Sequence, residues 1–252
     1  MPAGRSSVCR AVILAAGRGR RLGRNFPAKA LLPFGGKTLL ARHIAILAEF
    51  GVTEIAVIVG HQAQELRHEV TRLGCADRVV LIDNPSFRDG SIVSLWCARE
   101  ILRSGQPILL MDADVLYDRR LMARLLGSAH DNCFLLDREI EPGEEPVKLC
   151  VSQGRIVDFS KRPQVVHQWH GESVGFFRFS PEVAAELADR LEAYVAGART
   201  GAEYEEPIRE LLLAREGNDF GFEDVTGLPW IEIDFADDFR RAATRVLPEL
   251  IA

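Results

Sequence analysis

Hydrophobic and polar positions follow two alternating periods through the first half of this chain. Ala11-Val12-Ile13 is an unbroken apolar run, as in a strand covered on both faces. It ends in the small-residue turn Leu14-Ala15-Ala16-Gly17-Arg18-Gly19-Arg20-Arg21-Leu22. Thr38 to Phe50 carries apolar residues at helical spacing and stops at Gly51. Glu54 to Val59 predicts a buried strand, and Gln62 to Leu73 an amphipathic helix that ends at Gly74. Val79 to Ile82 predicts a strand and Ile92 to Leu102 a helix. Pro107 to Met111 is a further strand, which runs into Asp112-Ala113-Asp114. Such alternation predicts an α/β fold, with a mostly parallel sheet and helices on both faces. Ligands then sit at the carboxyl ends of the strands, where the glycine-rich turn and the Asp-x-Asp both fall.

The second half has another pattern. Val147–Val151 and Arg155–Ser160 predict a hairpin around Gln153-Gly154, and Val174–Phe179 a strand. Ser180-Pro181 gives a helix a cap and a proline at its first position. A second helix is expected from about Glu203 to Arg215, then a short strand at Trp230–Asp234 and a terminal helix. No linker, repeat or low-complexity tract divides the 252 residues. The expectation is a lead-in at residues 1–7 and one domain over 8–252. Residues 8–130 would form its nucleotide-binding half and residues 131–252 its acceptor half.

Composition narrows the class. A net charge of −5 argues against nucleic acid as the partner. No apolar run approaches the roughly 20 residues that span a bilayer. The five cysteines are odd in number and scattered, with no C-x-x-C pair. They fit reduced, mostly buried thiols, so a cytoplasmic location is expected and a zinc site is not. His43, His61, His68, His130 and His167 have no ligand spacing and are expected at the surface or in packing.

The turn after the first strand supplies the chemistry. Small residues and glycines let backbone N–H groups approach phosphate oxygens, and Arg18, Arg20, Arg21 and Lys29 add positive charge. The spacing is neither that of a dinucleotide site, since position 22 is Leu, nor that of a P-loop, which ends in Gly-Lys-Ser/Thr. Asp112 and Asp114, at i and i+2, share a strand face. Magnesium takes one or two carboxylates besides phosphate oxygens and waters, so one Asp here and a distant one would suffice. The distant candidate is Asp234 in Glu232-Ile233-Asp234; its other role would be a helix cap. Trp169, His170, Glu172, Tyr204, Glu205 and Trp230 form a late set of aromatics and carboxylates that would suit a cationic head group.

Two segments carry a family resemblance. Leu14-Ala15-Ala16-Gly17-Arg18-Gly19-Arg20-Arg21-Leu22 and Lys29-Ala30-Leu31-Leu32-Pro33-Phe34-Gly35-Gly36-Lys37-Thr38-Leu39-Leu40 resemble the signature of the sugar-phosphate nucleotidyltransferases. The chain departs from it twice: Arg20 stands where Ser or Thr is usual, and Ala28 separates Pro27 from Lys29. Asp-Ala-Asp and the late Glu-Ile-Asp resemble the metal-binding segments of bacterial phosphocholine and 2-aminoethylphosphonate cytidylyltransferases.

The resemblance implies a Rossmann-like nucleotidyltransferase fold with a mostly parallel mixed sheet. It implies Mg²⁺-dependent transfer of CMP from CTP to a small phosphate or phosphonate, with pyrophosphate released. Phosphocholine would be the first acceptor and 2-aminoethylphosphonate the second. By the same resemblance Asp114 and Asp234 hold Mg²⁺, and Asp112 lies behind them or near the ribose. Lys29 sits by the α-phosphate, Arg21 grips the pyrophosphate, and Lys161, with Arg162 as its competitor, reaches the acceptor phosphate. The base is expected between Ala15-Ala16 and a wall from Asn84 to Gly90-Ser91, with Leu14, Gly17 and Gly19 completing the nucleotide site. Trp169, Glu172, Tyr204, Glu205 and Trp230 would bind the acceptor. Inositol phosphate or a sugar 1-phosphate is the alternative acceptor. A nucleotide-sugar glycosyltransferase and a non-catalytic nucleotide-binding homologue are the alternatives in other classes. A homodimer is compatible with these features.

Overall fold

The computed structural model describes residues 9–23, 26–140, 146–215 and 219–250. The expected lead-in, residues 1–7, lies outside the described residues. In chain order the elements are β1 (Arg10–Ala15), β2 (Pro33–Phe34), β3 (Lys37–Thr38), α1 (Leu39–Glu49), β4 (Glu54–Val59), α2 (Ala63–Arg72) and β5 (Val79–Asp83). Then come α3 (Ser91–Cys97), α4 (Arg99–Leu102), β6 (Ile108–Asp112), β7 (Val115–Tyr117), α5 (Arg119–Gly127) and β8 (Asn132–Asp137). The rest are β9 (Lys148–Ser152), β10 (Arg155–Ser160), β11 (Trp169–Phe179), α6 (Pro181–Ala196), α7 (Glu205–Ala214), β12 (Phe220–Asp224), β13 (Trp230–Glu232) and α8 (Ala236–Arg241).

The main sheet runs β10-β9-β11-β6-β1-β4-β5, with β8 paired to β11 and β12 paired to β8. β6, β1, β4 and β5 are mutually parallel, as crossover helices require. β11 joins them antiparallel, against β6. Period-2 alternation in β1 feeds two cores. Ala11, Ile13 and Ala15 face α1, α2 and α5, while Val12 faces α3, α4, α6 and α7. Capping follows the sequence: Thr38 Oγ1 accepts the Ala41 N–H, and Ser180 Oγ accepts the Val183 N–H ahead of Pro181.

Three differences from the expected elements have local causes. The Ile92–Leu102 helix divides at Ala98, whose N–H donates to Leu95 O rather than one residue further back. β11 begins at Trp169, before Val174, because its first half pairs with β9, its second half with β6, and both halves with β8. β8 and β12 carry no assignment from the sequence. Cys133-Phe134-Leu135-Leu136 is a short apolar run with no period to distinguish strand from helix.

Candidate active site

A third, smaller core assembles the site. Leu22, Leu32, Leu116, Ile231 and Ile233 pack together with Phe34, Leu39 and Ala242. Leu22 follows Arg21, and Ile231 and Ile233 flank Glu232. β13 lies antiparallel on β7, with Glu232 opposite Val115, and the Ile233 N–H donates to Asp114 O. Since Ile231 and Ile233 face this core, alternation turns Glu232 and Asp234 to the opposite side. That side is where β6 ends and Asp114 emerges.

Lys29 closes the group. Its Nζ donates to Asp114 Oδ2 at 2.8 Å and to Asp234 Oδ1 at 2.6 Å. Burial alone would depress the ammonium's pKa, but the two carboxylates outweigh it and the net shift is upward. Carboxylate oxygens of Asp114, Glu232 and Asp234 lie within 4.8 Å of one another. Burial first, then the Asp114 and Asp234 charges, push the Glu232 carboxyl up to about 8. An all-oxygen set that already seats an ammonium fits a hard divalent cation such as Mg²⁺. Glu232 is a residue sequence reasoning missed. The signal was there, because it stands two positions before Asp234 on an extended segment.

A cavity of about 450 Å³ opens over the ends of β1 and β6. Leu14, Ala15, Ala16, Gly17, Gly19, Gly90, Ser91 and Asp112 line it, with Lys29 and Asp114 at its floor. Gly90 is required by close approach: a Cβ there would stand 2.3 Å from Thr200 O. Ser91 Oγ accepts the Tyr204 N–H at 2.9 Å, tying this wall to the second half of the chain. Asn84 does not line the cavity. It is 1% exposed, donating to Ser94 Oγ and accepting the Ser86 N–H, so it shapes the wall from behind. Phe87 and Arg88 line the cavity instead, as do Arg18 and Arg20. Arg21, expected on the pyrophosphate, turns from this lining. It pairs with Asp234 at 3.2 Å and lies over the Phe235 ring.

A narrower cavity, about 70 Å³, lies beyond the carboxylates. Arg21, Lys161, Tyr204, Glu205 and Glu232 line it, together with Asp112 and Asp234. Gly175 (φ +77°) permits this: a Cβ there would fall 2.3 Å from Asp112 Oδ2. Tyr204 OH donates to Asp112 Oδ2 at 2.6 Å. Asp112 is held well above the usual carboxylate range by burial and then by Asp114. Lys161 Nζ is 2.9 Å from Glu203 Oε1. Burial, then Glu203, pushes Glu205 up to about 7.

Three expected acceptor residues are elsewhere. Trp169 sits at the start of β11 with Arg138 over its ring at 4.4 Å and Phe222 against its edge. Glu172 and Trp230 line a separate groove of about 620 Å³ on the far side of Asp234, where Trp230 Nε1 donates to Asp137 Oδ2. Neither lines the narrow cavity with Tyr204 and Glu205, which no aromatic count in the sequence could show. His43, expected as packing, is fully buried between Tyr117 and Phe176, and burial depresses it to about 4. The described cysteines are all free, with Cys97 half-buried and the others buried.

A family model described as the MobA-like NTP transferase domain matches residues 11–171. The chain belongs to that family. The CMP-5'-(3-aminopropyl)phosphonate synthase of Streptomyces rubellomurinus is 26% identical over 95% of this chain, which spans 39% of that protein. The CTP:phosphoglutamine cytidylyltransferase of Campylobacter jejuni is 22% identical over 90% of this chain and 96% of its own length. Among solved structures, the inositol-1-phosphate CTP transferase of T. maritima superposes with a TM-score of 0.75 at 17% identity. It covers 98% of this chain and 99% of that one, so the Rossmann-like nucleotidyltransferase fold is shared end to end. Among the described residues no helix is long and apolar enough to cross a membrane.

Proposed function

We propose that this protein transfers CMP from CTP to a small phosphate or phosphonate with a cationic head group, releasing pyrophosphate. The observation that carries the reading is Lys29 held between Asp114, which lines the 450 Å³ cavity with it, and Asp234, which lines the narrow one. An α-phosphate lying there would meet the ammonium on one side and the acceptor on the other. The acceptor's phosphate oxygen attacks the α-phosphorus, and the bond from that phosphorus to the bridging oxygen of the β-phosphate breaks. A phosphate dianion is already nucleophilic, so no side chain need accept a proton. The protein's part is positioning and charge stabilisation, the main sources of rate in such transfers.

Asp114 and Asp234, with Glu232 beside them, would hold Mg²⁺. The ion supplies charge neutralisation of the triphosphate and orients it. The turn from Gly17 to Gly19 and the Arg18 and Arg20 side chains would hold the β- and γ-phosphates. Arg21 and Lys161 would orient the acceptor phosphate. CTP is supported by the relatives' names and by the small residues Ala15 and Ala16, which leave backbone free to read a base edge. The cationic head is supported by the excess of carboxylates around the narrow cavity.

Pyrophosphate release from each of the four nucleoside triphosphates tests this, with and without acceptors. CTP with an amine-bearing phosphate or phosphonate should be the productive pair. Preference for inositol 1-phosphate or glucose 1-phosphate would remove the cationic head and leave the transfer chemistry. Release from a nucleotide sugar instead would point to glycosyl transfer.

A further inference from the structure

Among the described residues, the non-glycine residues with positive φ are Gln62, Gln153 and Ala198. Two of them have ordinary reasons. Gln153 turns the β9–β10 hairpin ahead of Gly154, and Ala198 follows the C-terminus of α6, where left-handed backbone is common. Gln62 has no such reason. It precedes α2 at φ +52° and ψ +39°, and its side chain makes no capping bond to that helix. Glutamine suits the position poorly on both counts: Gly or Asn adopts this backbone more readily, and Ser, Thr, Asp or Asn would cap. A residue that breaks two local preferences is held there by contacts elsewhere.

The contact is with the lysine segment. Gln62 Oε1 accepts the N–H of Ala28, the residue that separates Pro27 from Lys29. Ala28 is buried and opens the single 3₁₀ turn Lys29–Leu31, where its carbonyl accepts the Leu31 N–H at 2.7 Å. Alanine has no side chain to cap that turn, so Gln62 supplies the acceptor from outside it. The preceding residue, His61, donates its N–H to Ala16 O at 3.1 Å. Ala16 and Lys29 both line the 450 Å³ cavity. Two consecutive residues thus fasten the outgoing and the returning end of the arginine-rich turn. Little slack is left inside it: a Cβ on Gly19 would stand 3.1 Å from Lys29 Cγ.

We propose that Gln62 is a positioning residue for Lys29. Its left-handed backbone aims the side chain at the Ala28 N–H, and that bond sets the turn from which Lys29 reaches Asp114 and Asp234. The effect on turnover rests on the CMP-transfer reading above, because Gln62 acts through Lys29. Without Oε1 a buried N–H loses its acceptor, and the turn shifts to find another. Misplacing a group at the transition state by about 1 Å costs on the order of 100-fold in rate.

Three variants test it. Gln62→Asn tolerates the left-handed backbone and improves the cap, but falls one methylene short of Ala28. Gln62→Gly relieves the backbone and removes the acceptor. Gln62→Glu keeps both the length and an accepting oxygen. Asn and Gly should lower kcat by on the order of 10- to 100-fold, with KM for CTP little changed and the Tm of Gln62→Asn close to wild type. Glu should recover most of that loss. In a Lys29→Met background Gln62→Asn should cost much less, as expected of two residues acting through one group. Wild-type kcat in Gln62→Asn overturns the assignment, as does an equal loss in Gln62→Glu, the same factor in both backgrounds, or a fall in kcat that only tracks a fall in Tm.

A second readout needs no turnover. Acylation of Lys29 by acetic anhydride, followed by mass spectrometry, should be slow in the wild type, where two carboxylates hold the ammonium, and faster in Gln62→Asn. An unchanged rate overturns the positioning of Lys29 whatever the reaction is. If the wild type forms no CMP linkage with any acceptor, the transfer reading falls, and the acylation rates alone decide the role of Gln62.

Discussion

Replacing Lys29 with methionine removes the charge that joins the two aspartates and keeps most of the side chain's bulk. Its ammonium lies 2.8 Å from Asp114 and 2.6 Å from Asp234. At an effective dielectric of about 20, each contact is worth roughly 6 kcal/mol before desolvation. Lost hydration cancels most of that. Both carboxylates reach cavity water, so the net stability loss should be on the order of 2 kcal/mol, below that for a fully enclosed pair. Since the Lys29 pKa is raised, this contribution is fully present at neutral pH and is lost only on strongly alkaline titration. For a chain of this length the Tm of Lys29→Met should drop by roughly 4–8 °C in chelator. Mg²⁺ should restore more of that loss in the variant than it adds to the wild type, because no ammonium competes for the carboxylates. Turnover should fall by on the order of 10²–10³, as for loss of one preorganised charge at a transition state. Calorimetry with and without Mg²⁺, paired with a pyrophosphate-release assay, reads both. A folded variant with near wild-type turnover would refute the role of Lys29, and the Ala28 insertion would be the first suspect. A Tm loss that Mg²⁺ leaves untouched would refute the shared cation site.

Asp114→Asn and Asp234→Asn should each raise the Mg²⁺ concentration for half-maximal rate by about tenfold or more, since amides are weak ligands for a hard cation. Neither should unfold the protein: at the start of α8 it is Asp238, not Asp234, that accepts the Phe235 N–H. Unchanged Mg²⁺ dependence in Asp234→Asn would remove it from the metal site. Glu205 gives a pH signature, because its carboxyl is raised from 4.5 to about 7. Between those values the folded state binds more protons than the unfolded one, so this group lowers stability as pH rises. Glu205→Gln should therefore exceed the wild-type Tm above about pH 8 and match it near pH 4; a difference independent of pH would contradict the shift.

Much of this was legible because the signals are local. The β1 turn, the Thr38 cap and the Ser180-Pro181 start are short-range chemistry, and each formed where the residues demanded. The carboxylates Asp114 and Asp234 were paired in the sequence only through the family resemblance; the physical link, β13 pairing on β7, crosses the chain and has no local signal. Glu232 was missed although its i, i+2 spacing to Asp234 on an extended segment puts both on one face. Composition groups Trp169 and Trp230 with Tyr204, but neither lines the narrow cavity with it. Arg21 was placed by a signature, whereas its neighbours in the turn, Arg18 and Arg20, line the cavity over the ends of β1 and β6.

The proposed reaction is a direct transfer of CMP onto a phosphorus-bound oxygen at the Lys29 centre. Phosphorus NMR of CTP and 2-aminoethylphosphonate with the protein and Mg²⁺ tests it in one tube. The account predicts a pair of mutually coupled phosphorus signals from a new P–O–P linkage, growing in step with free pyrophosphate and absent in Lys29→Met. CTP left intact with every amine-bearing acceptor, or hydrolysed to CMP with no new linkage, would contradict it.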